Sequence, residues 1–213
     1  MNLFRDALSY IRENPDRFWE AVQTHLRLSG TALFIAILIF VPLGILAARS
    51  GRIGAAIVGG VAAVRVIPSL AILFLLYPIF GLGDTPALIA LVALAGPPLV
   101  INTDAGLRNV RSDILDNARG LGMNRVQVFT KVETPLALPV IVAGFRTASV
   151  EVIASATLAA FIGAGGLGSY ITGGITSLDY TLLLVGGIPV TIMAFMAEVG
   201  LGAVERQLTP PVA

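Results

Sequence analysis

The chain has 213 residues, of which 56% are hydrophobic and only 13% charged, and its mean hydropathy is +0.88. A soluble domain carries about 25% charged residues, so a lipid bilayer, not water, is the expected solvent for most of this chain. The net charge of +1 argues against nucleic acid as a partner, the lack of cysteine excludes disulfides and thiolate metal sites, and a single histidine, His25, cannot build a histidine-rich metal site.

Residues 1–27 mix acids, bases and apolar groups and lack the basic-then-apolar pattern of a signal peptide. Leu3, Leu8, Ile11, Phe18, Trp19 and Val22 fit an amphipathic helix broken at Pro15. Such a helix is expected to lie in the membrane interface; a loosely ordered tail is the alternative.

A spanning helix needs about 20 mostly apolar residues. Leu28–Ala48, Ile53–Gly83, Thr85–Thr103, Leu136–Gly163 and Thr181–Val204 meet that requirement in turn. The expected architecture is all-α: a polytopic membrane helical bundle with about five transmembrane helices. It divides into an interfacial segment (1–27), a transmembrane domain (28–206) and a tail (207–213). Pro42, Pro68, Pro78, Pro97, Pro98, Pro139 and Pro189 fall inside the spans, where a bundle or a lined cavity tolerates them. Gly54, Gly59, Gly60 and Ala63 permit close helix contact.

Lys and Arg cluster in three places: Arg49 and Arg52 after the first span, Arg108 to Lys131 in the loop 104–135, and Arg206 near the end. With five spans all three share one face, and the loops around Asp84 and Asp179 lack Lys and Arg. The positive-inside rule then expects the loop and the C-terminus in the cytoplasm and the N-terminus outside. Arg5, Arg12, Arg17 and Arg27 oppose this, interspersed with Asp6, Glu13, Asp16 and Glu20.

The loop 104–135 is too ordered for a plain connector. Ser112 is an expected N-cap, with Asp113 in the first turn of a helix over 114–121. Gly122 stands where a C′ glycine belongs. Asn124 and Gln127 have capping-box spacing for a second short helix, expected to end before Pro135. Ile114, Leu115, Ala118 and Leu121, beside Asp116 and Arg119, suit insertion into a protein groove.

Four ionisable residues interrupt the spans: Arg65, Arg146, Glu151 and Glu198. Such groups find partners or line pathways. Ion pairing and a pathway role for Glu151 toward a cationic head group both stand. The segment 164–180 is rich in Gly, Ser and Thr. Gly163, Gly165 and Gly168 match a dinucleotide-binding pattern, but that reading requires a strand–turn–helix unit, which a preceding membrane span rules out. A flexible outer turn that lines or closes a pathway mouth, and a packed turn needing positive φ, are the two remaining readings. Phe161, Gly165 and Gly166 join Glu151 as pathway candidates.

The loop residues resemble the cytoplasmic motif of ABC importer permeases, E-A-A-x3-G-x9-I-x-L-P. Asp116-Asn117-Ala118 is followed after three residues by Gly122, then after nine by Val132-Glu133-Thr134-Pro135. Asp116, Asn117, Val132 and Thr134 depart from the pattern; the spacing does not. The stretches 66–71, 118–125, 143–148 and 156–168 are similar to the osmoprotectant importers for glycine betaine, carnitine and choline. Methionine-type permeases share the last stretch in similar form.

The resemblance implies a type I ABC importer permease fold in a bacterial or archaeal cytoplasmic membrane. It implies a translocation pathway for a quaternary ammonium compound, built with a second permease subunit as a homodimer or heterodimer. It implies that cytoplasmic ATPase subunits seat the coupling helix, with Asp116, Asn117, Ala118, Arg119, Gly122 and Pro135 at that contact, and that an extracytoplasmic binding protein delivers substrate. No catalysis, metal or cofactor is expected on this chain, since ATP belongs to the partner and no G-x-x-x-x-G-K-[ST] phosphate loop is present. The alternatives are a permease for another small solute, such as an amino acid of the methionine type, and an ion-coupled secondary transporter using Glu151 and Glu198.

Overall fold

The computed structural model describes residues 3–209, and within them there is helix and no strand. A short helix α1 (Leu3–Glu13) precedes a long one, α2 (Pro15–Arg49). Asn14 breaks them, and Pro15 opens α2, where its fixed φ and missing N–H suit a first turn. α2 runs unbroken through 27 and 28. Residues 15–27 are therefore continuous in helix with the first span, and α1 alone is a separate helix. At about 1.5 Å per residue, α2 outreaches a hydrocarbon core of about 30 Å.

The second expected span is two helices, α3 (Gly51–Val64) and α4 (Ser69–Phe80), bent by 90°. Pro68 is the cause. It lacks an N–H and drives Ile67 out of helical geometry, so the chain turns at 65–68. The pair crosses as one broken span or re-enters; the described helices provide four spans, or five with this pair counted as one.

α5 (Asp84–Arg108) is the central helix. Its apolar window is 61% buried within the chain, against 17% for α10 (Tyr180–Leu208). α6 (Ser112–Gly120) and α7 (Arg125–Val128) form the polar loop. A π-helical turn (Phe129–Glu133) then leads into α8 (Thr134–Ser155) and a 3₁₀ turn (Ala156–Ile162). The helix expected to stop before Pro135 instead continues. The Thr134 N–H reaches back to the Phe129 carbonyl, and Pro135 falls in the first turn of α8, where no N–H is demanded of it. The Gly-rich segment also holds more structure than a flexible turn: α9 spans Gly168–Ser177. Asp179 caps α10, its Oδ1 accepting from the Thr181 N–H at 2.8 Å.

α2 packs on α5, α5 on α8, and α8 on α10. Glycines set the close approaches. A Cβ at Gly44 would lie 2.6 Å from the Thr103 Cβ, and one at Gly144 would lie 2.5 Å from the Asn102 Cβ. Leu28, Ala32, Leu91, Leu99, Val152 and Ile162 form one core, and Phe18, Val22, Leu167 and Val185 a second under α1 and α9. Large apolar side chains on α4 and α10, among them Leu75, Ile79, Phe195 and Met196, face outward. An apolar exterior suits lipid or a second subunit.

Long-range polar contacts define two ends. At one, Arg49 pairs with Glu133 at 2.5 Å, and Arg108 donates to the Ala47 carbonyl at 2.6 Å. At the other, Arg27 pairs with Asp84 at 2.6 Å, and the His25 Nε2–H donates to the Ile153 carbonyl at 3.0 Å. Of the charges inside the spans, Arg146 is shared between Glu198 (3.6 Å) and Glu205 (3.3 Å), an ion-paired bridge from α8 to α10.

Candidate functional site

The loop that carries α6 and α7 is built by local rules. α6 begins at Ser112, with Arg111 in the cap position and no side-chain cap, so Ser112 is not the N-cap its type suggested. Arg111 instead forks onto Asp113, Nε to Oδ1 at 3.0 Å and Nη2 to Oδ2 at 2.5 Å. That hydrogen bond holds the Asp113 carboxyl below its ordinary range. α6 ends in a Schellman turn: the Met123 N–H bonds to the Ala118 carbonyl and the Gly122 N–H to the Arg119 carbonyl. Gly122 sits at φ 84°, left-handed geometry natural to glycine. The capping box follows: the Gln127 N–H donates to Asn124 Oδ1 and the Asn124 N–H to Gln127 Oε1, both at 2.9 Å.

Ala118 is buried, while Asp116, Asn117, Arg119 and Gly122 are exposed. Asp116 and Arg119 pair at 2.7 Å. Leu121 is 81% exposed and Val126 70% exposed, on either side of Gly122. The loop therefore presents two apolar side chains on a rigid double turn, rimmed by charges. Val126 escaped the sequence reading; its signal was an apolar residue in the first turn after a capping box. Pro135 lies apart from this tip, at the root of α8. Between tip and root is a cleft of about 630 Å³ lined by Arg49, Arg119, Met123, Arg125, Val128 and Glu133. Arg49 closes its floor, with its guanidinium 5.2 Å from the Phe129 ring centre and its Nη2 on Glu133.

The pathway candidates are dispersed. Glu151 is half-buried in α8, within the electrostatic influence of Arg65 at the α3–α4 bend. Phe161 is 48% exposed in the 3₁₀ turn. Gly165 and Gly166, at φ 76° and 77°, line a cleft of about 600 Å³ at the far end of the bundle, which Glu151 and Phe161 do not reach. That cleft also holds Tyr10, Arg17, Glu20 and Tyr170. Burial raises the Tyr170 hydroxyl above its ordinary range, with the charges of Arg17 and Glu20 acting on it from nearby. Among the described residues no three His, Asp or Glu side chains converge as a metal site.

Comparison with known proteins accords with this geometry. Residues 40–209 match the family described as binding-protein-dependent transport system inner membrane component. The carnitine transport permease protein OpuCB of Listeria monocytogenes is 41% identical over 206 residues, 96% of this chain and 94% of that protein. The choline transport system permease protein OpuBB of Bacillus subtilis (strain 168) is 37% identical, covering 95% of this chain and 94% of its own. A solved inward-facing structure of the MetNI methionine ABC transporter superposes with a TM-score of 0.79 at 20% identity, covering 91% of this chain and 97% of the matched one. The fold is thus that of the type I ABC importer permeases. With a long-helix bundle, a rigid polar loop at one end and a family match across most of its length, the chain belongs to the binding-protein-dependent transport system inner membrane components, as a multi-pass membrane protein.

Proposed function

We propose that this chain is the pathway-forming permease subunit of an ATP-driven importer for quaternary ammonium osmoprotectants of the glycine betaine, choline and carnitine type. The observation that carries the substrate class is near-full-length similarity to permeases named for carnitine and choline. The coupling role rests on the loop: Leu121 and Val126 stand exposed on a double turn stiffened by a Schellman motif and a capping box. Burying one leucine side chain contributes about 1.5–3 kcal/mol, so the pair can anchor α6 in a groove of an ATPase subunit. Asp116, Asn117 and Arg119 supply a charged rim, and Ala118 and Gly122 shape the turn. ATP is bound and hydrolysed on that partner.

The Lys/Arg-rich end, with Arg49, Arg108 and the loop, faces the cytoplasm by the positive-inside rule. The opposite end, around Asp84 and Asp179, meets an extracytoplasmic binding protein. A second permease subunit, identical or related, covers outward apolar faces and completes the pathway. Glu151 meets the cationic head group in transit, as a half-buried carboxylate can.

Reconstitution tests this reading. Proteoliposomes holding this chain, its ATPase and its binding protein should take up radiolabelled choline, carnitine or glycine betaine only with ATP inside. Uptake without the ATPase would reject it in favour of ion coupling. Uptake of methionine alone would reject the substrate class.

A further inference from the structure

At the end opposite the polar loop, α1, α2, α9 and the turn 163–166 border an open cleft that neither the coupling loop nor the Glu151 region uses. Its volume of about 600 Å³ falls in the usual range for small-molecule sites. Tyr10 of α1 and Tyr170 of α9 line it, with ring centres 6.0 Å apart and planes at 87°. In this edge-to-face pair one ring face is turned to the edge of the other ring, and the remaining faces are what a cation in the cleft would meet. Glu20 and Arg17, one turn apart on α2, line the same cleft. Arg27 is occupied by Asp84. Arg17 has no carboxylate within ion-pair distance among the described residues, so its guanidinium is available to a ligand. Gly165 bears no side chain that would fill the space.

A quaternary ammonium group has no N–H to donate. It is held by aromatic faces and by a carboxylate at contact distance. A zwitterion of this class adds a carboxylate at the other end, which an arginine receives through paired N–H donors. The cleft contains this set: two rings, one acid and one free guanidinium.

We propose that this cleft is an entry site for quaternary ammonium compounds on the permease itself, with Tyr10, Tyr170 and Glu20 receiving the ammonium group and Arg17 the carboxylate of zwitterionic substrates. The proposal rests on the quaternary ammonium reading above and adds a site on this chain to it. Substrate released at this end would be held here before it passes inward.

The test is equilibrium dialysis of radiolabelled choline and glycine betaine against the purified permease–ATPase complex, without binding protein. Saturable binding of both is expected. Tyr170→Leu should weaken both by about fivefold, while Tyr170→Phe, which keeps the ring, should bind as the unaltered complex does. The exposed charges provide variants that do not disturb the core. Glu20→Gln should weaken both ligands, and Arg17→Gln should weaken glycine betaine and leave choline unchanged.

No saturable binding, in a complex that still imports these compounds with its binding protein, would overturn the entry site and leave the transport reading intact. Equal effects of Arg17→Gln on both ligands would overturn the assigned orientation. Unaltered binding of both ligands in the variants, together with loss of binding-protein capture, would make the cleft a protein contact and overturn the proposal. A complex that imports no quaternary ammonium compound at all would instead defeat the transport reading.

Discussion

Arg49 at the end of α2 donates to Glu133 at the root of α8, 2.5 Å away, across 84 positions of chain. Glu133 is almost wholly buried, at 5% exposure, while Arg49 is half-exposed. The pair ties the root of the polar loop to the end of the first span. Removing Arg49 alone leaves a buried carboxylate without its partner, a loss far larger than that of a surface ion pair. Allowing for the exposure of Arg49, Arg49→Gln should destabilise by about 1–2 kcal/mol. Arg49→Gln combined with Glu133→Gln should recover part of that. Thermal unfolding of the detergent-solubilised permease checks it; a double variant weaker than the sum of the singles would contradict the pairing.

Gly122 holds φ 84° to close the Schellman turn. A β-branched residue there is strained by about 1–3 kcal/mol. Gly122→Val should leave the spans folded but disorder the loop, so that ATP hydrolysis in the complex no longer rises on addition of substrate-loaded binding protein. Gly122→Asn, which tolerates left-handed geometry, should retain most of the stimulation. Equal coupling in the valine and glycine forms would show that the turn does not transmit motion.

Leu121 and Val126 are exposed and support no core. Leu121→Asp should therefore leave the melting temperature of the isolated permease unchanged while weakening ATPase association by about tenfold or more, since burying this side chain is worth about 1.5–3 kcal/mol. Co-purification at graded concentration reads this directly. A charged residue tolerated at both positions would remove the loop tip from the interface.

Glu151→Gln keeps the shape of the side chain and removes its charge. Choline uptake into proteoliposomes should fall by about fivefold or more, with ATPase association unaffected, if the carboxylate attracts the cation in the pathway. Unchanged uptake kinetics would take Glu151 out of the pathway.

Much of the loop was legible because its structure is local. The capping box at Asn124 and Gln127, and the glycine at 122, involve residues three or four apart, and the hydrogen bonds follow from that spacing. Ser112 misled because Arg111, engaged with Asp113, took the cap position in its place. The span count was legible for a different reason: hydropathy records which segments avoid water, and that depends on composition alone. Composition carries no direction, so the right angle between α3 and α4 was hidden, although Pro68, its cause, stood in the open.

By itself the sequence determined that this is a helical membrane protein with one ordered polar loop, because lipid forces the backbone into helices and local caps shape the turns. Tertiary structure alone decided which distant residues meet. Arg49 reaches Glu133, Arg27 reaches Asp84, and Tyr10 meets Tyr170 because α1, α2, α5, α8 and α9 pack at particular depths, set between α2, α5 and α8 by small residues such as Gly44 and Gly144. Those contacts join segments 57 to 160 positions apart, and no pattern along the chain encodes a distance of that kind.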